Sequence, residues 1–202
     1  MSEIEIFARA DQVLADVVGR IPAEALDEPL PADFPTHGDR PYTFREMLGY
    51  QAYDEAWIPD MVAGRTLDEV GQDAYGAPID NDLLADEPSR RFEELVEDSI
   101  RAVRGLSESD LDTRTVHYSY GDYPAREALW HAIVFRTTRA YDFARAIGAE
   151  TTLPDDLVEA TWEIVEPHAE EWRRMGVFGP LVEVDADAPL QDRLMGLTGR
   201  RL

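Results

Sequence analysis

The segment LWHAIVFRTTRAYDFARAIG, residues 129 to 148, has the pattern of a long helix with a cation on its apolar face. Residues at helical spacing form one stripe in which only the arginine is charged: Ala128, Ala132, Phe135, Arg139, Phe143 and Ala146. A guanidinium stays protonated at physiological pH and has several N–H donors. In an apolar pocket it can bind a carboxylate or stabilise negative charge on a carbonyl oxygen. Arg139 is therefore the first candidate site residue.

The amino-acid composition argues against several classes of binding partner. The 202-residue chain has 42 acidic residues against 19 basic ones, all arginine, for a net charge of −23. This charge opposes binding to nucleic acid and to anionic membranes. No apolar run approaches the about 18 residues of a membrane span, and the first residues are acidic where a secretion signal is basic. Without cysteine there is no thiol nucleophile. The sequence predicts a soluble cytoplasmic protein.

Helical patterns of apolar residues cover most of the chain, and the resulting helices must position Arg139. They predict helices over 3–19, 44–64, 86–105, 124–148 and 154–176, with a kink expected at Pro167. Proline-rich residues 20–42 indicate a long loop, and TRTVHYSYGDYPA indicates a strand ribbon. The tail should form a strand-like piece and a short helix. Together these predict a mainly all-α, four-helix bundle with long crossover loops, in a single domain over 1–202.

Several short sequence segments resemble those of a known protein family. TFREMLGYQ, AGRTLDEVG, GDYPAREAL, AYDFARAIG and PLQDRLMGLTGR, in this order, resemble the DinB superfamily, in its mycothiol-dependent maleylpyruvate isomerase-like branch. The resemblance covers nearly the whole chain. It implies a four-helix bundle around one divalent metal, held by a histidine of the second helix and by a carboxylate and a histidine four apart on the fourth. Members with known activity use the metal to activate a thiol or a water.

When the family's ligand positions are aligned with this sequence without gaps, other residues stand at all three of them. The second-helix histidine falls on Tyr50, the fourth-helix carboxylate on Phe135 and the fourth-helix histidine on Arg139. Phenylalanine cannot coordinate a metal, and a guanidinium repels one. The sequence therefore predicts no metal and no cofactor at this position.

A buried arginine requires a counter-charge, and Asp54, one turn after Tyr50, is the predicted partner of Arg139. The resulting trio could be an inert plug or a pocket for an anion or carbonyl. In the pocket hypothesis Tyr50 and Arg139 are catalytic. The substrate-binding residues are then Asp54, Tyr53, Trp57, Phe135 and His131. The chemistry expected is that of a cofactor-independent isomerase, cyclase or related proton-transfer enzyme acting on a hydrophobic small molecule.

Two alternatives stay open. A degenerate, non-catalytic family member could bind a ligand or a protein, including a second copy in a homodimer. A metal-dependent mycothiol transferase or isomerase could use a shifted site at Glu127 and His131, which repeat the carboxylate-x-x-x-histidine spacing. His117, near the expected pocket mouth, could assist proton transfer or be a surface residue. His37 and His168 are interpreted as incidental.

Overall fold

The protein is described by a computed structural model over residues 1–36 and 40–202; His37 lies outside these ranges. Eight α-helices and one two-stranded ribbon make up this part of the chain. In chain order they are α1 Glu3–Val18, α2 Phe44–Val62, α3 Leu67–Val70, α4 Pro88–Arg104, α5 Glu108–Thr113, β1 Thr115–Tyr118, β2 Gly121–Pro124, α6 Ala125–Ala146, α7 Asp155–Arg174 and α8 Leu190–Leu197. The mainly all-α fold with a short ribbon is confirmed.

Side-chain caps fix where several helices begin. The predicted capping box at α2 is present: the backbone N–H of Glu46 donates to Thr43 Oγ1 at 3.2 Å, and the N–H of Thr43 donates to Glu46 Oε2 at 2.9 Å. The same device begins α3 and α5. These two short helices were not predicted, because one or two turns are too short to establish a helical period.

The long helices pack around one apolar core that extends from Ile6 to Met195. α1 lies against α4 and α6, α2 lies against α4, and α7 covers the outer side of α6. α6 is the central element, with buried residues on most of its circumference. Between α2 and α6 the contacts are made mainly by long side chains, and this is where the candidate site lies. No helix in the described ranges has the length and apolarity needed to cross a membrane.

The proline-rich loop before α2 packs against the helical bundle. Leu26, Leu30 and Phe34 are buried, and the Phe34 ring lies 5.6 Å from the ring of Phe143. The backbone N–H of Leu30 donates to the carbonyl of Tyr42 at 2.8 Å, which closes the loop. The loop therefore brings residues 31–36 over α6, next to Arg139.

The C-terminal region differs from the prediction in its strand-like piece. α7 runs through Pro167 as one continuous helix. The segment predicted to be strand-like is irregular and is fastened to α8 by the N–H of Val182, which donates to the Gly196 carbonyl at 3.1 Å. The short helix α8 is confirmed. It fixes the tail so that Arg200 reaches α6.

The close packing of this tail against α8 depends on the absence of a side chain at Gly196. A Cβ there would lie 2.5 Å from Val184 Cγ2 and 2.7 Å from the Val182 carbonyl oxygen. We expect Gly196→Ala to lower the free energy of unfolding by about 1–3 kcal/mol, although alanine favours helix. Urea unfolding measures this. Gly19→Ala is the control, because its Cβ would approach no atom closer than 3.5 Å; equal stability of both variants would contradict the packing.

Candidate functional site

Arg139 is buried, with 3% of its side chain exposed. Its Nη1 donates to the carbonyl of Pro35 at 3.1 Å, and the same nitrogen lies 3.9 Å from Asp142 Oδ2. The guanidinium carbon lies 5.0 Å from the ring centre of Phe34 and 5.1 Å from that of Phe135. Burial lowers the pKa of Arg139, and Asp142 opposes this shift. The arginine is thus held in an aromatic cage rather than in a tight ion pair.

The predicted ion pair between Arg139 and Asp54 is wrong. The carboxylate nearest to Arg139 is Asp142, three residues further along α6. Asp142 itself accepts from Nε and Nη2 of Arg200, both at 2.8 Å. The loop over α6 and the tail after α8 supply these contacts, and neither could be placed from helix periodicity. Tyr50 meets Phe135 edge to face, at 6.2 Å between ring centres, instead of bonding to Arg139.

A second arginine on α6 forms the tight ionic contacts of the bundle interior. Arg136 is 2% exposed, and its carboxylate partners Asp11 of α1 and Glu55 of α2 are both 0% exposed. Arg136 Nη2 lies 2.8 Å from Glu55 Oε2, and Arg136 Nε donates a hydrogen bond to Asp11 Oδ1. This Asp11–Arg136–Glu55 triad joins three helices across the core.

The sequence contains a signal for this triad in the charged residues on the apolar faces of α1 and α6. Asp11 lies between Phe7 and Leu14, which occupy the core-facing side of α1 at helical spacing. Arg136 precedes Arg139 by three residues, so the two side chains leave the helix about 60° apart. When two helices each have a charged residue on their apolar face, a buried ion pair is predicted. The pattern does not show which charged residues form the pair.

One cation between two buried carboxylates leaves an excess negative charge. Burial raises the pKa of Asp11 well above its usual range, Glu55 adds to the rise, and Arg136 only partly offsets it. The pKa of Arg136 is raised, because Asp11 and Glu55 outweigh the effect of its burial.

Asp54, one turn after Tyr50 on α2, retains some exposure to solvent. Burial raises its pKa to about 7; Glu55 raises it further, while Arg136 and Arg139 lower it. Burial, followed by the charge of Asp54, raises the pKa of Tyr50 to about 12. The structure thus groups Tyr50, Asp54, Phe135 and Arg139 between α2 and α6. A carboxyl of this kind can accept or donate a proton near neutral pH.

The other predicted binding residues lie in two separate aromatic groups. Tyr53 packs on Trp57 at 6.1 Å, and Trp57, 2% exposed, packs on Tyr75 at 5.0 Å. His131 lies 4.7 Å from the ring of Tyr123 and 5.4 Å from that of Trp172. Their contacts are with these rings rather than with Arg139. The substrate-binding role of Tyr53, Trp57 and His131 stays a prediction.

The shifted metal site at Glu127 and His131 lacks a third ligand. No group of three or more histidine, aspartate or glutamate side chains suited to a metal occurs within residues 1–36 and 40–202. Burial lowers the pKa of His131, as does the charge of His168. His117 Nδ1 lies 2.8 Å from Asp122 Oδ1 across the ribbon, where the strand register pairs the two residues.

A small cleft lies on the loop side of Arg139. Its volume is about 120 Å³, and Phe34, Pro35, Asp142 and Arg145 contribute to its walls. A larger, open groove of about 490 Å³ lies at Arg40 and the loop around Pro78. Neither is lined by Tyr50 or Asp54.

The two arginines of α6 should respond differently to the same substitution. Arg136→Met leaves Asp11 and Glu55 buried without a cation, and we expect it to lower the free energy of unfolding by about 3–5 kcal/mol. Arg139→Met leaves Asp142 paired with Arg200, and methionine fills the aromatic cage, so we expect a loss below about 1.5 kcal/mol. Urea unfolding at neutral pH compares them. Equal losses would contradict the distinct roles of the two cations.

The raised pKa of Asp54 also predicts a pH dependence. Between about pH 4, the usual value for an unfolded carboxyl, and about pH 7, the folded chain retains a proton that the unfolded chain has lost. This contribution therefore decreases stability as pH rises through that window. We expect Asp54→Asn to show a shallower decline than the wild type in urea unfolding between those values. Parallel curves would contradict the shift.

Comparisons with known proteins identify no relative. No protein-family model matches the chain, and neither a curated protein nor a solved structure is similar to it. The resemblance to the DinB superfamily stays a prediction.

Proposed function

We propose that this chain is a small-molecule proton-transfer enzyme on a DinB-like bundle, with isomerase or cyclase chemistry and no metal in the step. The observation that carries the proposal is Asp54. It is a partly exposed carboxyl of α2 whose pKa burial raises to about 7, and the charges of Arg136 and Arg139 act on it. General bases are most effective when their pKa is close to the working pH.

The chemistry follows from the charges around that carboxyl. The Asp54 carboxylate removes a proton from a carbon next to a carbonyl, and the electron pair of the C–H bond moves onto the carbonyl oxygen. The Tyr50 hydroxyl can donate a hydrogen bond to that oxygen, and the positive charge of Arg139 stabilises it. Asp54 then returns the proton to a different carbon, which completes an isomerisation. The Phe135 ring provides an apolar surface for the hydrocarbon part of the substrate.

Arg139 currently donates to the Pro35 carbonyl. A substrate oxygen reaches this guanidinium directly only after the loop over residues 31–36 has moved. Asp33 accepts from Arg145 at the edge of the same loop, so an ion pair with both side chains partly exposed holds it in place. Exposed ion pairs of this kind contribute only about 0–1 kcal/mol, which permits such a movement.

The test is exchange of α protons into D₂O, followed by ¹H NMR on a panel of cyclic and aryl ketones. We expect the wild type to accelerate the loss of α-proton signal for at least one ketone, with a rate that rises with pH up to about 7 as Asp54 ionises. Asp54→Asn should reduce the rate by about 100-fold or more. Tyr50→Phe and Arg139→Met should each reduce it while the fold is preserved.

Asp98→Asn is the matched control, because Asp98 is an exposed carboxylate of α4 that pairs with Arg101. It should keep the wild-type rate. Exchange that survives Asp54→Asn unchanged would refute the assignment of the base, and the absence of exchange with every ketone would argue against this reaction class.

One observation favours a second candidate, a non-catalytic binding protein. Arg139 is covered by Pro35 and Phe34, and the adjacent Asp142 is already held by Arg200. If this loop never opens, the site is a plug that holds α6 and the loop together. Arg139→Met would then alter thermal stability but leave ketone binding, followed by ligand-observed NMR, unchanged.

A further inference from the structure

We infer that the ribbon and α6 form a binding site for a small protonated primary amine at an aromatic cluster made of Tyr118, Tyr120, Tyr123 and His131. The rings contact the apolar part and the charge of the amine, and its ammonium N–H groups donate to His131 and Glu127. The site uses none of the residues assigned to proton transfer, so it goes beyond the proposed function and does not depend on it.

The four rings of the aromatic cluster lie close to one another. Their centres are 4.9 Å apart for Tyr118 and Tyr120, 4.7 Å apart for Tyr123 and His131, and 5.8–6.2 Å apart for the other four pairs. The Tyr118 hydroxyl donates to the carbonyl of Ala128 at 2.9 Å, which fixes the ribbon over this turn of α6. Three ribbon rings and one helix ring thus form a single aromatic surface.

Tyr120 is the member of the cluster that can move. It lies in the turn between β1 and β2 and is 61% exposed. In the described part of the chain only ring contacts, with Tyr118, Tyr123 and His131, hold its side chain. Rotation of Tyr120 into solvent uncovers those three rings and leaves space for a group about the size of one ring. The ligand is therefore a small molecule.

The charge of this surface favours a cation. The faces of aromatic rings carry partial negative charge and attract cations. Arginines lie over six rings elsewhere in residues 1–36 and 40–202, but over none of the four in this cluster. The net charge of −23 adds a field that attracts cations to the whole surface.

His131 contributes a hydrogen-bond acceptor that the fold leaves unused. Its Nδ1 is buried and has no hydrogen-bond partner among the described residues. Burial lowers the pKa of His131, and the charge of His168 lowers it further, so the ring is neutral near pH 7. With its proton on Nε2, this ring has a lone pair on Nδ1. A buried polar atom without a partner is unfavourable, and an ammonium N–H supplies the missing donor.

Glu127 contributes the negative charge. It precedes His131 by one turn of α6, so both side chains leave the same side of the helix. Its carboxylate forms no ion pair with any residue that the structure describes. The Glu127–His131 spacing lacks the third ligand that a metal needs, but a carboxylate, a neutral imidazole and ring faces together suit an ammonium group.

The experiment is a titration of the full-length chain with benzylammonium at pH 7.5, followed by the aromatic ¹H–¹³C NMR signals of Tyr118, Tyr123 and His131. Benzyl alcohol is the matched neutral ligand, with the same ring and nearly the same shape. We expect saturable shifts of these signals and binding of the amine about 10-fold tighter than binding of the alcohol.

Two variants test the polar contacts. Glu127→Gln and His131→Phe should each weaken the binding of benzylammonium by about 5-fold while leaving benzyl alcohol unaffected. Glu97→Gln is the matched control, because Glu97 is an exposed glutamate of α4 and its substitution changes the net charge equally. It should bind benzylammonium like the wild type.

Three results would overturn the inference. Equal affinities for the amine and the alcohol would show that the cluster binds through apolar contact alone. A loss in Glu97→Gln as large as that in Glu127→Gln would show diffuse attraction to an acidic surface. Ring signals that shift with neither compound would show that no site exists there. The titration requires neither turnover nor Asp54, so its failure and that of α-proton exchange are separate results.

Discussion

The buried guanidinium of Arg136 is the constraint on which the arrangement of the bundle depends. A cation in an apolar interior must be paired, and here its partners come from α1 and α2, while the arginine comes from α6. The ionic contacts therefore fix the relative positions of three helices. They also extend across the space between α2 and α6, where backbone packing is looser and the candidate site lies.

Arg139, less than one turn away, is accommodated by different means. Its neighbours are aromatic rings, a loop carbonyl and an aspartate already held by Arg200. Both the proline-rich loop and the C-terminal tail thus meet at this cation. Asp54 is partly exposed to solvent, whereas Asp11 and Glu55 are fully buried in the core. Burial without full sealing is the physical feature that distinguishes Asp54 from the other acidic residues of the core.

Sequence periodicity was sufficient for the long helices and for the ribbon, because each presents an apolar face or an alternating pattern over enough residues. It also identified Tyr50, Asp54, Phe135 and Arg139, which the fold does bring to one region. It failed for α3 and α5, whose few residues contain no full period. It could not show that the rings of Trp57 and His131 pack against Tyr75 and Trp172.

The sequence by itself determined the helical class, the main helix starts, and the presence of a charge on the apolar face of α6. These properties depend on local spacing and on caps formed within a few residues. Only the tertiary structure decided which acid meets which arginine. Asp11 and Arg136 are separated by 125 positions, and Asp142 and Arg200 by 58. Pairings at such distances depend on helix rotation and loop path, because several acids could satisfy each cation and packing selects one set among them.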